Sequence, residues 1–144
     1  MGRKCGGQRP GAGSNEAVSR PVLLDTSFLV ALERETASGE NGPARRFPPS
    51  LGGRRLVISI VSVEEVLEGA ADTAAAFASL QRFAIQGLHL TQARRCAVLQ
   101  RRASRRMGEN DAWLVATADS LQADVAGADR AAFERLGARY LRFR

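Results

Sequence analysis

The sequence predicts an α/β domain, a three-layer α/β/α sandwich with a mostly parallel sheet. Short apolar runs alternate with stretches of helical periodicity along residues 21–144, the order from which parallel sheets are built. The runs Val22-Leu23-Leu24 and Leu56 to Ile60 are apolar almost throughout, as strands covered on both faces are. Apolar residues at 44% and charged residues at 25% are ordinary for a globular chain. No apolar run approaches the roughly 18 residues of a membrane span, so no membrane association is expected.

Each element follows from local pattern. Residues 1–20 are Gly-rich and nearly devoid of large apolar side chains. Such a stretch buries too little surface to offset its ordering entropy and reads as a disordered tail without a secretory signal. Val22 to Leu24 is the first strand and ends at Asp25. Thr26 to Arg34 follows as a short helix, with Phe28, Leu29 and Leu32 at helical spacing. Residues 36–53 hold Pro43, Pro48 and Pro49 among Gly, Ser and Asn, and read as a loop. Leu56 to Ile60 is β-branched and short, a second strand. Ser62 opens a helix through Leu67. Asp72 to Gln86 is an Ala-rich helix with Phe77, Leu80, Phe83 and Ala84 on one face. Leu88 to Leu90 reads as a short strand, with Thr91 capping a helix over 92–107 that Gly108 ends. Asn110 or Asp111 starts the next helix, through Leu121. Asp124 to Gly127 is a weak strand, Asp129 to Leu136 a short helix, and Arg139 to Phe143 the closing strand.

The net charge of +6 invites a nucleic-acid reading until it is located. Arg3, Lys4, Arg9 and Arg20 stand against Glu16 in the tail, so half the surplus lies there. Much of the rest is one face of the helix over 92–107. Arg94, Arg95, Arg101, Arg102, Arg105 and Arg106 fall within an arc of roughly 140°. That face suits RNA phosphates, a solvated surface or a protein partner. Cys5 and Cys96 form neither a disulfide framework nor a metal-ligand spacing, which fits a reduced, cytoplasmic setting. The single histidine, His89, alternates with leucines and reads as an outward strand residue rather than a catalyst.

The acids are more telling. Asp25 follows the first strand, and Glu65 lies just after the second. Asp111 opens a helix, and Asp129 follows the fourth strand-like segment. In a parallel sheet these come to the same edge, where α/β sites form. Converging carboxylates repel unless a hard divalent cation joins them. Metal-assisted phosphodiester hydrolysis is the chemistry that follows. Each acid also has a plain structural role open to it. Asp25, Asp111 and Asp129 suit helix caps, and Ser62 with Glu65 has capping-box spacing.

Four segments carry a resemblance. Val22-Leu23-Leu24-Asp25-Thr26-Ser27 resembles the first strand and acid of PIN-domain ribonucleases. Ser62-Val63-Glu64-Glu65-Val66-Leu67-Glu68-Gly69 resembles their second element and picks Glu65 over Glu64. Asn110-Asp111-Ala112-Trp113-Leu114-Val115-Ala116-Thr117-Ala118 and Asp129-Arg130-Ala131-Ala132-Phe133-Glu134-Arg135-Leu136 are similar to the third and fourth. Together they span residues 21–144 in family order. The short single-domain build resembles VapC toxins of VapBC toxin–antitoxin pairs. The resemblance implies a Mg²⁺- or Mn²⁺-dependent endoribonuclease, neutralised by a small antitoxin and commonly a homodimer. Its implied catalytic and metal-binding set is Asp25, Glu65, Asp111 and Asp129, with Thr26 or Ser27 orienting a ligand or water. Ser27 stands where many members have Asn, and Gly127 where many have Thr. Both departures touch metal or water positioning, and they leave open a non-catalytic RNA- or protein-binding module on the same fold.

Overall fold

The first strand, β1 (Val22–Leu24), lies at the centre of a five-stranded sheet. The computed structural model describes residues 20–128 and 139–144. The remaining elements are α1 (Thr26–Ser38), α2 (Pro43–Ser50), β2 (Leu56–Ser59), α3 (Ile60–Gly69), α4 (Thr73–Leu80), β3 (Ala84–Gln86), α5 (Leu90–Arg102), α6 (Glu109–Leu121), β4 (Asp124–Gly127) and β5 (Tyr140–Arg142). The strand order is β3-β2-β1-β4-β5, and every pairing is parallel. The chain builds outward from β1 to β3, then crosses back to place β4 on the other side of β1. The order therefore reverses between β1 and β4, where the carboxyl ends of strands leave a crevice.

Alternation along β1 divides the core. Val22 and Leu24 join Phe28, Leu32, Ile58 and Val66 in one cluster. Leu23 faces the other way, with Val57, Leu114, Val115 and Val125. All three β1 side chains are fully buried, which is why the run is apolar throughout. These two clusters put helices on both faces of the sheet, the predicted three layers.

Several local expectations are corrected. Residues 36–53 are not one loop: α1 runs on to Ser38, and Pro43 begins α2. Glu35 makes this possible, because its carboxylate accepts the backbone N–H of Ala44 at 3.0 Å and of Arg45 at 2.8 Å. Proline at the first helical position sacrifices no bond there. Phe47 then packs on Phe28 with ring centroids 5.7 Å apart, and Phe28 meets Phe143 edge-on at 5.0 Å. Tertiary packing thus overrides the turn-like composition.

The helix expected over 72–86 stops at Leu80, and Ala84–Gln86 instead pairs with β2. The strand expected at 88–90 is displaced to this position. Leu90 already begins α5, with His89 rather than Thr91 at its N-cap. The helix expected over 92–107 ends at Arg102. Gln100 folds over the following loop, accepting from Met107 N–H at 2.9 Å and donating to Met107 O at 3.1 Å. Arg105 and Arg106 therefore leave the helix, and Gly108 caps the start of α6 rather than the end of α5.

At the amino ends of the strands Asp124 pairs with Arg54 and with Arg20, the latter at 3.4 Å. Arg54 also donates to the Arg20 carbonyl at 2.9 Å. Arg20, assigned above to the tail, is thus tied to the sheet, while residues 1–19 lie outside the described residues. The helix expected over 129–136 does too. Among the described residues no helix is long and apolar enough to cross a membrane.

Phe28 holds the junction of α1, α2 and the chain's end. Phe28→Ala is expected to lower unfolding free energy by about 3–5 kcal/mol in urea denaturation. A loss under 1 kcal/mol would show that the aromatic contacts do not carry this packing.

Candidate active site

Asp25 occupies the crevice between β1 and β4. Its backbone N–H donates to Ala126 O at 2.9 Å, so the first residue beyond β1 is fixed against β4. Its carboxylate is the N-cap of α1: Oδ1 accepts the Ser27 N–H at 3.0 Å. The Ser27 hydroxyl donates to Oδ2 at 3.1 Å and accepts the Ala128 N–H at 3.0 Å. Asp25 is only 8% exposed, and the cap reading and the site reading both apply to it.

Gly127 explains one departure noted in the sequence. A Cβ there would overlap Asp25 Oδ2 and stand 3.1 Å from the Asp25 Cβ and Cγ. The carboxylate fills the space a side chain would need. Ser27 meanwhile ties this carboxylate to the backbone that follows β4.

Glu65 arrives on α3, and its local setting differs from the capping box. The N-cap is Ser59, whose hydroxyl accepts the Ser62 N–H at 3.1 Å. Glu65 is thereby released from any capping role. Its Oε1 accepts the Thr26 hydroxyl at 3.0 Å, which joins α3 to the start of α1. Glu64 is exposed on the same helix, as the choice of Glu65 requires.

Asp111 lies in the first turn of α6, where a carboxylate is stabilised by the helix dipole. Asp25, Glu65 and Asp111 all line one small cavity of ≈ 60 Å³, together with Thr26, Ser59, Ser62 and Asn110. Three acids from separate elements thus share a pocket at the carboxyl edge of the sheet. Asp129 lies outside the described residues. Among the described residues, no group of three or more His, Cys, Asp or Glu side chains is arranged to hold a metal ion. The donors present are all hard oxygen ligands and suit Mg²⁺ or Mn²⁺ in kind.

The sequence matches the PIN domain family model over residues 22–138. The chain belongs to the PIN domain family. No curated protein matches the sequence. Solved structures show the same fold. A toxin–antitoxin complex from Klebsiella pneumoniae aligns with TM-score 0.70 and 20% identity, over 85% of this chain and 98% of that one. VapBC-1 from nontypeable Haemophilus influenzae aligns with TM-score 0.64 and 20% identity, over 85% and 97%. A DNA-bound VapBC from Salmonella typhimurium gives TM-score 0.64 and 18% identity, over 87% and 99%.

In this PIN domain Arg94, Arg95, Arg101 and Arg102 stay on α5, and Arg105 and Arg106 lie beyond its end. Arg94, Arg95 and Arg102 line a groove of ≈ 520 Å³ along α5, with Leu90, Val98 and Asp119. Arg101 and Arg105 are exposed, and Arg106 pairs with Glu109 at 3.0 Å beside the start of α6. Cys96 faces inward from α5, and burial pushes its thiol up from the ordinary value, so it is a packing residue. His89 is an exposed N-cap residue and does not line the pocket.

Sequence reasoning missed the pocket roles of Ser59 and Asn110, and it read Ser62 only as a cap. The spacing 59, 62, 65 was the available signal, since residues three apart share a helix face.

The fit of Gly127 is testable. Gly127→Ala is expected to cost about 1–3 kcal/mol of unfolding free energy by overpacking. Chemical denaturation checks this, and unchanged stability would mean that the Asp25 carboxylate has room to move.

Proposed function

We propose that this PIN domain is a metal-dependent endoribonuclease hydrolysing RNA phosphodiester bonds, and that it is the toxin of a VapBC-type pair. One observation carries the reading: Asp25, Glu65 and Asp111, from three separate elements, line a single pocket at the switch point of the sheet. Asp129 is proposed as the fourth acid. A Mg²⁺ or Mn²⁺ ion bound by these acids would lower the pKa of water and stabilise charge on the attacked phosphate.

The chain's own residues prepare the site. Ser27 holds both oxygens of Asp25, through its N–H and its hydroxyl. Thr26 holds Glu65. Fixed carboxylates need no reordering when a cation and substrate arrive. An acid-lined pocket repels RNA unless positive charge elsewhere holds the strand, and we assign phosphate contacts to Arg94, Arg95, Arg101, Arg102, Arg105 and Arg106. Arginine suits phosphate through its planar fork of donors.

The toxin–antitoxin complexes among the fold neighbours support a small antitoxin protein as partner. We also assign a homodimer and a cytoplasmic setting, and a single nuclease domain over residues 21–144 preceded by a tail. A second reading, a non-catalytic RNA- or protein-binding module, is favoured by one observation. Among the described residues the acids do not close into a three-carboxylate metal group.

Cleavage of RNA by the purified protein should require Mg²⁺ or Mn²⁺ and stop with EDTA. Asp25→Asn and Asp111→Asn should each lose about a hundredfold or more in rate. Equal cleavage by both variants and the parent would refute the assignment. RNA binding without cleavage would establish the second reading.

A further inference from the structure

Along the wall of the acid pocket lies a run of hydroxyls that ends on Glu65. Ser59 and Ser62 are 1% and 2% exposed, so their hydroxyls find protein partners rather than water. The Ser59 Oγ lies 3.4 Å from Ser62 Oγ. The Ser62 Oγ lies 3.1 Å from Thr26 Oγ1, and Thr26 Oγ1 lies 3.0 Å from Glu65 Oε1.

Proton counting orders this run. An ionised carboxylate only accepts, so the single Thr26 hydroxyl proton goes to Glu65. The Ser62 hydroxyl must then donate to Thr26 Oγ1 if their contact is a hydrogen bond. The Ser59 hydroxyl is left to donate to Ser62. Ser59 Oγ also accepts the Ser62 backbone N–H, which anchors the run to the first turn of α3. In this arrangement the three O–H dipoles point the same way, toward the carboxylate. Hydrogen bonds in such a chain strengthen one another.

We infer that Ser62, backed by Ser59, is a positioning residue for Glu65, acting through Thr26. The inference rests on the acid pocket proposed above as the site. Ser62 does not reach Glu65 itself. It fixes the direction of the Thr26 hydroxyl, which otherwise has a free rotor and a choice of acceptors. Glu65 is held at Oε1 only, and Oε2 accepts no hydrogen bond among the described residues. The hydroxyl run therefore determines which oxygen is committed to the protein and which is left for a ligand.

The test uses the full chain, first without metal. NMR of protein carrying ¹³C-labelled Glu reads the Glu65 carboxyl resonance directly. Ser62→Ala removes one buried oxygen, Thr26→Val removes the terminal donor, and Thr26→Ser keeps it. Ser62→Ala and Thr26→Val should both shift the resonance in the same direction, and Thr26→Ser should leave it near its parent position. A Glu65 resonance unmoved by Ser62→Ala overturns the inference. Electron paramagnetic resonance of added Mn²⁺ then reads affinity without RNA. Ser62→Ala should weaken Mn²⁺ binding by about tenfold. Equal affinity in parent and variant overturns the positioning role. If the parent takes up no Mn²⁺, the metal reading of the site fails, while the Glu65 resonance still decides the hydroxyl run.

Discussion

The structure depends on how the chain leaves β1. Asp25 does three things within one residue. Its N–H bonds to β4, its carboxylate starts α1, and its side chain fills the space above Gly127. Each contact constrains the others, because a carboxylate that moved to suit one would break the next. The reversal of strand order at β1 and β4 opens the crevice, and Asp25 occupies it. Everything else in the pocket is brought to this fixed point. Thr26 links it to α3, and the start of α6 places Asp111 across from it.

Much of this was legible in the sequence, and the reasons are physical. The central strands are buried on both faces, so Val22 to Leu24 and Leu56 to Ser59 read as continuous apolar runs. The acids stand at strand exits or helix starts, positions that can be counted without coordinates. What failed was short and context-dependent. Residues 43–50 form a helix because Glu35 and Phe28 receive it, and neither partner is local in sequence. Residues 84–86 pair with β2 although their side chains fit a helical face equally well, since three residues carry no decisive period. The six-arginine face needs an ideal helix through 107, and that helix ends five residues early, at Arg102, where Gln100 folds over the following loop.

The candidate site was half legible. Asp25, Glu65 and Asp111 stand at strand exits or helix starts in the sequence, and they line one pocket. The capping-box spacing of Ser62 and Glu65 is the alternative that the structure removes, because Ser59 three residues earlier is the N-cap. Moving the cap to Ser59 changes the meaning of both residues. Glu65 is no longer a cap for the start of α3, and Ser62 turns its hydroxyl toward Thr26. A substitution of a cap would alter α3; a substitution in the hydroxyl run would alter the acid. The proposed fourth acid, Asp129, lies outside the described residues.

We propose that these acids gather to hold a divalent cation for RNA hydrolysis. The anomalous difference density of Mn²⁺ in crystals of the protein tests this. A peak is expected in the pocket among Asp25, Glu65 and Asp111, lost in crystals of the Asp25→Asn protein. A Mn²⁺ peak confined to other surface acids, with this pocket empty, would contradict it.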